Sequence, residues 1–152
     1  MKGAYALIIQ VDKAVTVKIK SLRHFTFEPG VWIYVGSAMG NGSTSLENRL
    51  HRHFRKEKTI YWHIDYLLDI GTELVEAIWA ESEHCIECDI AQAISNHPNY
   101  SSGLGGFGSS DCQRGCVAHI FQYHGDDPIR DSLYQIFQGL DLQPNFTNDG
   151  IL

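Results

Sequence analysis

Residues 34–54 read YVGSAMGNGSTSLENRLHRHF. A β-branched and aromatic run ends at Gly36, and a loop rich in glycine and serine follows over residues 37–43. Thr44-Ser45-Leu46-Glu47 then has capping-box spacing, a hydroxyl at the N-cap and a carboxylate three residues on. The stretch therefore predicts strand, loop and helix, with the helix running to about Lys58. Leu46, Leu50 and Phe54 recur at i, i+4 and i+8 and would face a core. Arg49, His53 and Lys56 share a neighbouring stripe, with Arg52 and Arg55 beside it.

Upstream, residues 4–11 (AYALIIQV) are a continuous apolar run, the signature of a buried strand. Asp12-Lys13 breaks it, and residues 14–20 then alternate apolar with polar. So short a break predicts an extra N-terminal hairpin. Leu22, Phe25 and Phe27 suggest a third extended piece before the Pro29-Gly30 turn, and VWIYV (31–35) is a further strand. Downstream, residues 62–70 predict a short helix capped by Thr59 and stopped by Gly71. Residues 74–79 predict a strand. Ile86, Ile90 and Ile94 predict a helix ending near Pro98. Residues 101–110 predict a mobile loop or a backbone cradle, 116–123 a strand and 128–137 a last helix. The tail after Asp141 is expected to fray. Strands interleaved with helices predict a single α+β domain over residues 1–140. Its core is a small mixed or antiparallel twisted sheet flanked by helices.

The chain has 152 residues, 43% hydrophobic and 20% charged, enough apolar side chain for a core without disulfides. No run of 18 apolar residues exists, which excludes a membrane-spanning segment of that kind. The first residues lack the basic and apolar regions of a signal peptide, so the expected location is the cytoplasm. The net charge of −6 opposes a phosphate-bearing partner at first sight. It is unevenly spread, however. Residues 1–58 hold 10 Lys/Arg against 4 Asp/Glu, and residues 59–152 hold 2 against 14. The positive share coincides with the strand–loop–helix stretch, which predicts an anion-binding surface there. The acidic remainder is expected to face away from it.

Three pieces lie in order: Gly3-Ala4-Tyr5, Tyr34-Val35-Gly36-Ser37-Ala38, and Arg49-Leu50-His51-Arg52-His53-Phe54. Together they resemble the GIY-YIG nuclease superfamily, in which two strands carry the tripeptides and a following helix carries an arginine. The segments WHIDYLL (62–68) and FGSSDC (107–112) resemble an uncharacterised prokaryotic branch of it. The resemblance implies a metal-dependent endonuclease acting on DNA, less so RNA, in repair or processing. It implies Tyr34 and Tyr5 as activators of water, Arg49 as stabiliser of phosphorane charge, and His53 as a helper in proton transfer. Glu87 matches in order the glutamate that holds one Mg²⁺ or Mn²⁺. His63 resembles a histidine found near the phosphate in some members.

The residue types suit these tasks. A guanidinium offers phosphate a planar fork of donors. A phenol can serve as a base only if neighbouring cations depress its pKa, a field the basic helix is expected to supply. Gly36 lets backbone approach phosphate closely. Arg52, Arg55 and Lys56, with Ser109 and Ser110 of the FGSSDC segment, are further candidates for nucleic-acid contact. His63 and Asp65 diverge by about 200° on a regular helix, so one of them faces the site, and His63 is preferred. The cysteines form two close pairs, Cys85 with Cys88 and Cys112 with Cys116. They could make a four-thiolate zinc site, or three thiolates with His119. Buried free thiols and a disulfide are the alternatives. Two other function classes stand beside the nuclease: a non-catalytic nucleic-acid-binding module on the same fold, and a zinc-stabilised interaction domain.

Overall fold

A computed structural model describes residues 1–19, 23–60, 63–102 and 119–152. Its first elements are strands β1 (Gly3–Val11), β2 (Val15–Ile19), β3 (Arg23–Phe27) and β4 (Gly30–Ala38), then helices α1 (Leu46–Phe54) and α2 (His63–Leu68). Strand β5 (Glu73–Glu81), helix α3 (Glu87–Ser95) and strands β6 (Tyr100–Ser101) and β7 (Ile120–Tyr123) follow. Helix α4 (Ile129–Gly139) and strand β8 (Asn145–Thr147) complete the order. The architecture is α+β.

β1 is apolar on both faces, and such a strand is satisfied only between two covering layers. It sits inside a six-stranded sheet of order β6-β7-β4-β1-β5-β8, with antiparallel neighbours on both sides. On one face Tyr5, Leu7, Ile9 and Tyr34 pack against Leu46 and Leu50 of α1 and Ile64 and Leu67 of α2. On the other face Ala6, Ile8, Ile33 and Val35 pack against Ile90 and Ile94 of α3 and Leu133 and Phe137 of α4. Among the described residues no helix is long and apolar enough to cross a membrane.

Four expectations are corrected. β2 does not form a hairpin with β1; it pairs with β3 in a separate two-stranded sheet, Val17 opposite Phe25. The reason is that β1 uses both edges for β4 and β5, whereas β2 has one apolar face, which joins Phe25 and Phe27 in closing the core. The N-cap of α1 is Ser45, whose hydroxyl accepts the Asn48 N–H at 3.3 Å; Glu47 instead meets the amino group of Met1 at 2.6 Å. The helix stops at Phe54, short of Lys58. Arg55 is extended, and the Lys58 ammonium folds back onto the carbonyls of Arg52 and His53, at 3.3 and 2.7 Å. The Arg52 carbonyl also accepts the Arg55 N–H at 3.2 Å, and both carbonyls lie at the negative end of the helix dipole, so a cation suits them. Finally, the tail does not fray. β8 pairs with β5, Ala77 opposite Thr147, and Phe146 packs against the core.

The expectations placed on Leu22, Trp62, Ser109, Ser110, Cys112 and Cys116 lie outside the described residues.

Candidate functional site

The β1–β4 register sets Tyr5 opposite Gly36 and Leu7 opposite Tyr34. The two phenols thus share the sheet face that α1 covers. Gly36 has a steric reason. A Cβ there would lie 2.5 Å from the Tyr5 hydroxyl oxygen and 2.6 Å from Cζ, so the missing side chain is the space the phenol occupies.

α1 adds two groups. His53 lies one turn beyond Arg49 and is buried, with Nε2 at 2.8 Å from the Tyr5 hydroxyl. Arg49 donates through Nη1 to the carbonyl of Ser37 at the end of β4, and also bonds the Tyr5 hydroxyl. A guanidinium can only donate. The Tyr5 oxygen therefore accepts from Arg49, and in its bond with His53 Nε2 the tautomer of the imidazole sets which group donates. The Ser37 hydroxyl donates to Glu87 Oε2 at 3.3 Å, and Glu87 Oε1 lies 3.2 Å from His119 Nδ1. Ser37 links the arginine to the glutamate, its carbonyl serving one and its hydroxyl the other. Tyr5, Tyr34, Gly36, Arg49, His53 and Glu87 are therefore brought together around the end of β4.

Electrostatics correct one expectation. The basic helix does not depress the phenols. Burial pushes the Tyr5 hydroxyl well up; Arg49 opposes that and Glu87 adds to it. Burial likewise raises Tyr34, with Tyr5 and Glu87 adding and Arg49 opposing. Arg49 is thus the cation beside the phenols, while its neighbour Arg52 is paired with Asp65. Burial, then the Lys58 charge, pushes His53 down to about 3, so the imidazole is neutral at ordinary pH.

Arg52 belongs to the framework. Its guanidinium clasps Asp65 through two hydrogen bonds of 2.9 and 2.8 Å and reaches the Thr59 carbonyl at 2.7 Å. Asp65 has no exposed surface. The choice between His63 and Asp65 thus resolves as two positions on α2, Asp65 turned to α1 and His63 half-buried in the first turn. Arg55 and Lys56 are exposed just past the end of α1. Cys85 is exposed ahead of α3. Cys88 is buried, its Sγ 3.9 Å from His119 Nε2. Among the described residues no group of three or more His, Cys, Asp and Glu is placed to hold a metal ion.

Sequence reading missed Ser37 and Lys58 as positioning residues. Ser37 had a signal in strand alternation, which sends its side chain to the face opposite Tyr34 and Gly36, where α3 lies. Lys58 had none, because its role depends on the helix ending early.

No curated protein and no solved structure matches the chain. A family model does, over residues 4–142, which takes in the two tyrosine strands, α1 and α3. The chain belongs to the family described as domain of unknown function DUF123.

Proposed function

We propose that the chain is a metal-dependent endonuclease of the GIY-YIG type that hydrolyses phosphodiester bonds in nucleic acid, DNA in preference to RNA. The supporting observation is the convergence of Tyr5, Tyr34, Arg49, His53 and Glu87, from two strands and two helices, on the end of β4. Arg49 is held by the Ser37 carbonyl beside the phenols, where its fork of donors can meet a phosphate oxygen. Tyr34 is 8% exposed against 2% for Tyr5, which favours Tyr34 as the phenol that meets substrate. With its pKa raised, it donates a hydrogen bond and orients the attacking water. Tyr5 and neutral His53 hold each other and so fix one ring in the cluster that includes Tyr34. Glu87, 21% exposed, is one hard carboxylate, a donor set that fits Mg²⁺ or Mn²⁺ completed by water. Such an ion, when bound, supplies charge neutralisation at the phosphate and a more acidic water.

Cleavage of single-stranded, double-stranded and branched oligonucleotides with Mg²⁺ or Mn²⁺ tests this. Arg49→Ala and Glu87→Ala should abolish cleavage, and Glu87→Ala should still bind. If nothing is cut and neither variant changes anything, the enzyme reading fails. The raised phenol pKa values favour one second reading, a non-catalytic nucleic-acid-binding module. It is the outcome if binding occurs, depends on Arg49 and is indifferent to Glu87 and to metal.

A further inference from the structure

We propose that His119 is a positioning residue for Glu87: its imidazole steadies the carboxylate that takes the divalent ion, and does not touch the ion itself. The proposal rests on the reading of Glu87 as the metal-holding residue. His119 leads into β7 and is 2% exposed. Its carbonyl accepts the Val35 N–H at 2.8 Å, one step past the Tyr34–Ile120 pair. The backbone of His119 is therefore fixed by the strand that carries Tyr34 and Gly36. Its side chain reaches α3, where Nδ1 lies 3.2 Å from Glu87 Oε1 and Nε2 lies 3.9 Å from the buried Cys88 Sγ. One residue thus connects the strand of the phenols to the carboxylate.

Three features favour positioning over incidental packing. First, both oxygens of Glu87 meet a protein partner. The Ser37 hydroxyl donates to Oε2 at 3.3 Å, and His119 stands at Oε1. A carboxylate has about four lone-pair sites, so two such contacts fix it and still leave sites for a cation. Second, a carboxylate only accepts. With its proton on Nδ1 the ring presents a donor to Glu87 and an acceptor to the Cys88 thiol. The opposite tautomer would set a lone pair against the carboxylate. Third, exposure ranks the two groups. The imidazole is 2% exposed and the carboxylate 21%, so an ion arriving from solvent meets Glu87 first, with His119 behind it. Partners placed behind a metal ligand in this way set its orientation and basicity, and losing one typically lowers metal affinity roughly 10–100-fold.

The test titrates the full chain with Mn²⁺ and reads binding by electron paramagnetic resonance, independently of cleavage. Wild type should bind the ion, and Glu87→Ala should lose it. His119→Leu fills the space without a donor and should weaken binding roughly 10–100-fold. His119→Asn keeps an amide N–H close to where Nδ1 stands and should restore most of the affinity, a rescue that general loosening of the fold would not give. His119→Gln, whose amide reaches the place of Nε2 instead, should not restore it, and it replaces the leucine variant if that one fails to fold. Spin-echo modulation of the bound Mn²⁺ should show no coordinated nitrogen from His119. Affinity that depends on Glu87 but not on His119, or that His119→Asn leaves as weak as His119→Leu, overturns this proposal and leaves the nuclease reading standing. A coordinated nitrogen that His119→Asn abolishes overturns it as well, by making His119 a ligand. Wild type that binds no Mn²⁺ overturns both. His119-dependent binding with no cleavage of any substrate supports the proposal and removes the nuclease reading alone.

Discussion

The hydroxyl of Tyr5 lies 2.8 Å from Nε2 of His53, a residue 48 positions further along the chain. The pair joins β1 to α1, and burial, with the Lys58 charge next, keeps the imidazole neutral. In the unfolded chain a histidine titrates near 6.5, whereas folded His53 titrates at about 3. Between those values the unfolded state binds the extra proton, so stability falls as pH is lowered through that window. Denaturant unfolding at pH 7.5, 6 and 5 should therefore show wild type losing up to about 1.4 kcal/mol more per pH unit than His53→Gln below pH 6. Parallel pH profiles for the two proteins would refute the buried, neutral imidazole.

Gly36→Ala puts a methyl where the end of the Tyr5 ring now lies, 2.5 Å from its oxygen. The ring is buried and bonded to His53 and cannot swing aside freely. Overpacking of this kind costs about 1–3 kcal/mol, and the midpoint of urea unfolding should fall accordingly. The same change should lower any cleavage activity, because it displaces the Tyr5 ring that bonds His53 and Arg49. A variant as stable as wild type would mean that the Tyr5 ring has room elsewhere.

Arg52→Met removes the two guanidinium hydrogen bonds that buried Asp65 accepts. Removing one member of a buried pair costs about 3–5 kcal/mol, reduced somewhat here because Arg52 is itself 22% exposed. The double variant with Asp65→Leu should recover much of the loss, a positive coupling in a double-mutant cycle. Arg55→Ala and Lys56→Ala, exposed beyond the helix, should change stability by less than about 0.5 kcal/mol. Their effect should appear as weaker nucleic-acid binding with a shallower salt dependence, read by titration at two salt concentrations. Equal stability losses from Arg52 and Arg55 would contradict this division of labour.

Ser45→Ala removes the oxygen that accepts the Asn48 N–H and should cost about 1 kcal/mol. Thr44→Ala removes a hydroxyl that reaches only the Asn41 carbonyl in the preceding turn, at 3.1 Å, and should cost less. Thermal unfolding of the two variants side by side decides which residue begins α1.

The local elements of this protein were legible because they depend on neighbours in the chain. The eight-residue apolar run at 4–11 has the length of a buried strand, and Leu46 and Leu50 share a helix face by spacing alone. Tyr5, Tyr34, Arg49 and Glu87 were named from the order of short motifs, and the fold brings them around one strand end. Partnership was not legible. Whether β1 joins β2 or β4 depends on which faces remain to be covered once all the strands compete, and that competition is long-range. The capping-box spacing fitted Thr44 and Glu47 equally well as letters, but the Met1 amino group takes Glu47 and leaves the cap to Ser45.

The charge pattern shows the same division. Positive charge gathers before residue 59 and negative charge after it, as the order of residues dictates. What those charges do follows from how the elements pack. Asp65, from the acidic part, is buried against Arg52 of the basic helix, and Glu87 reaches Ser37 beside Arg49. The site is therefore not a cationic cleft formed by five basic side chains. It holds Arg49 beside two buried phenols and one carboxylate, with Arg52 already neutralised. The physical reason is desolvation: a charge buried by folding must be paired, so the cost of burial selects which cations remain available for a phosphate, and that cost depends on the three-dimensional packing.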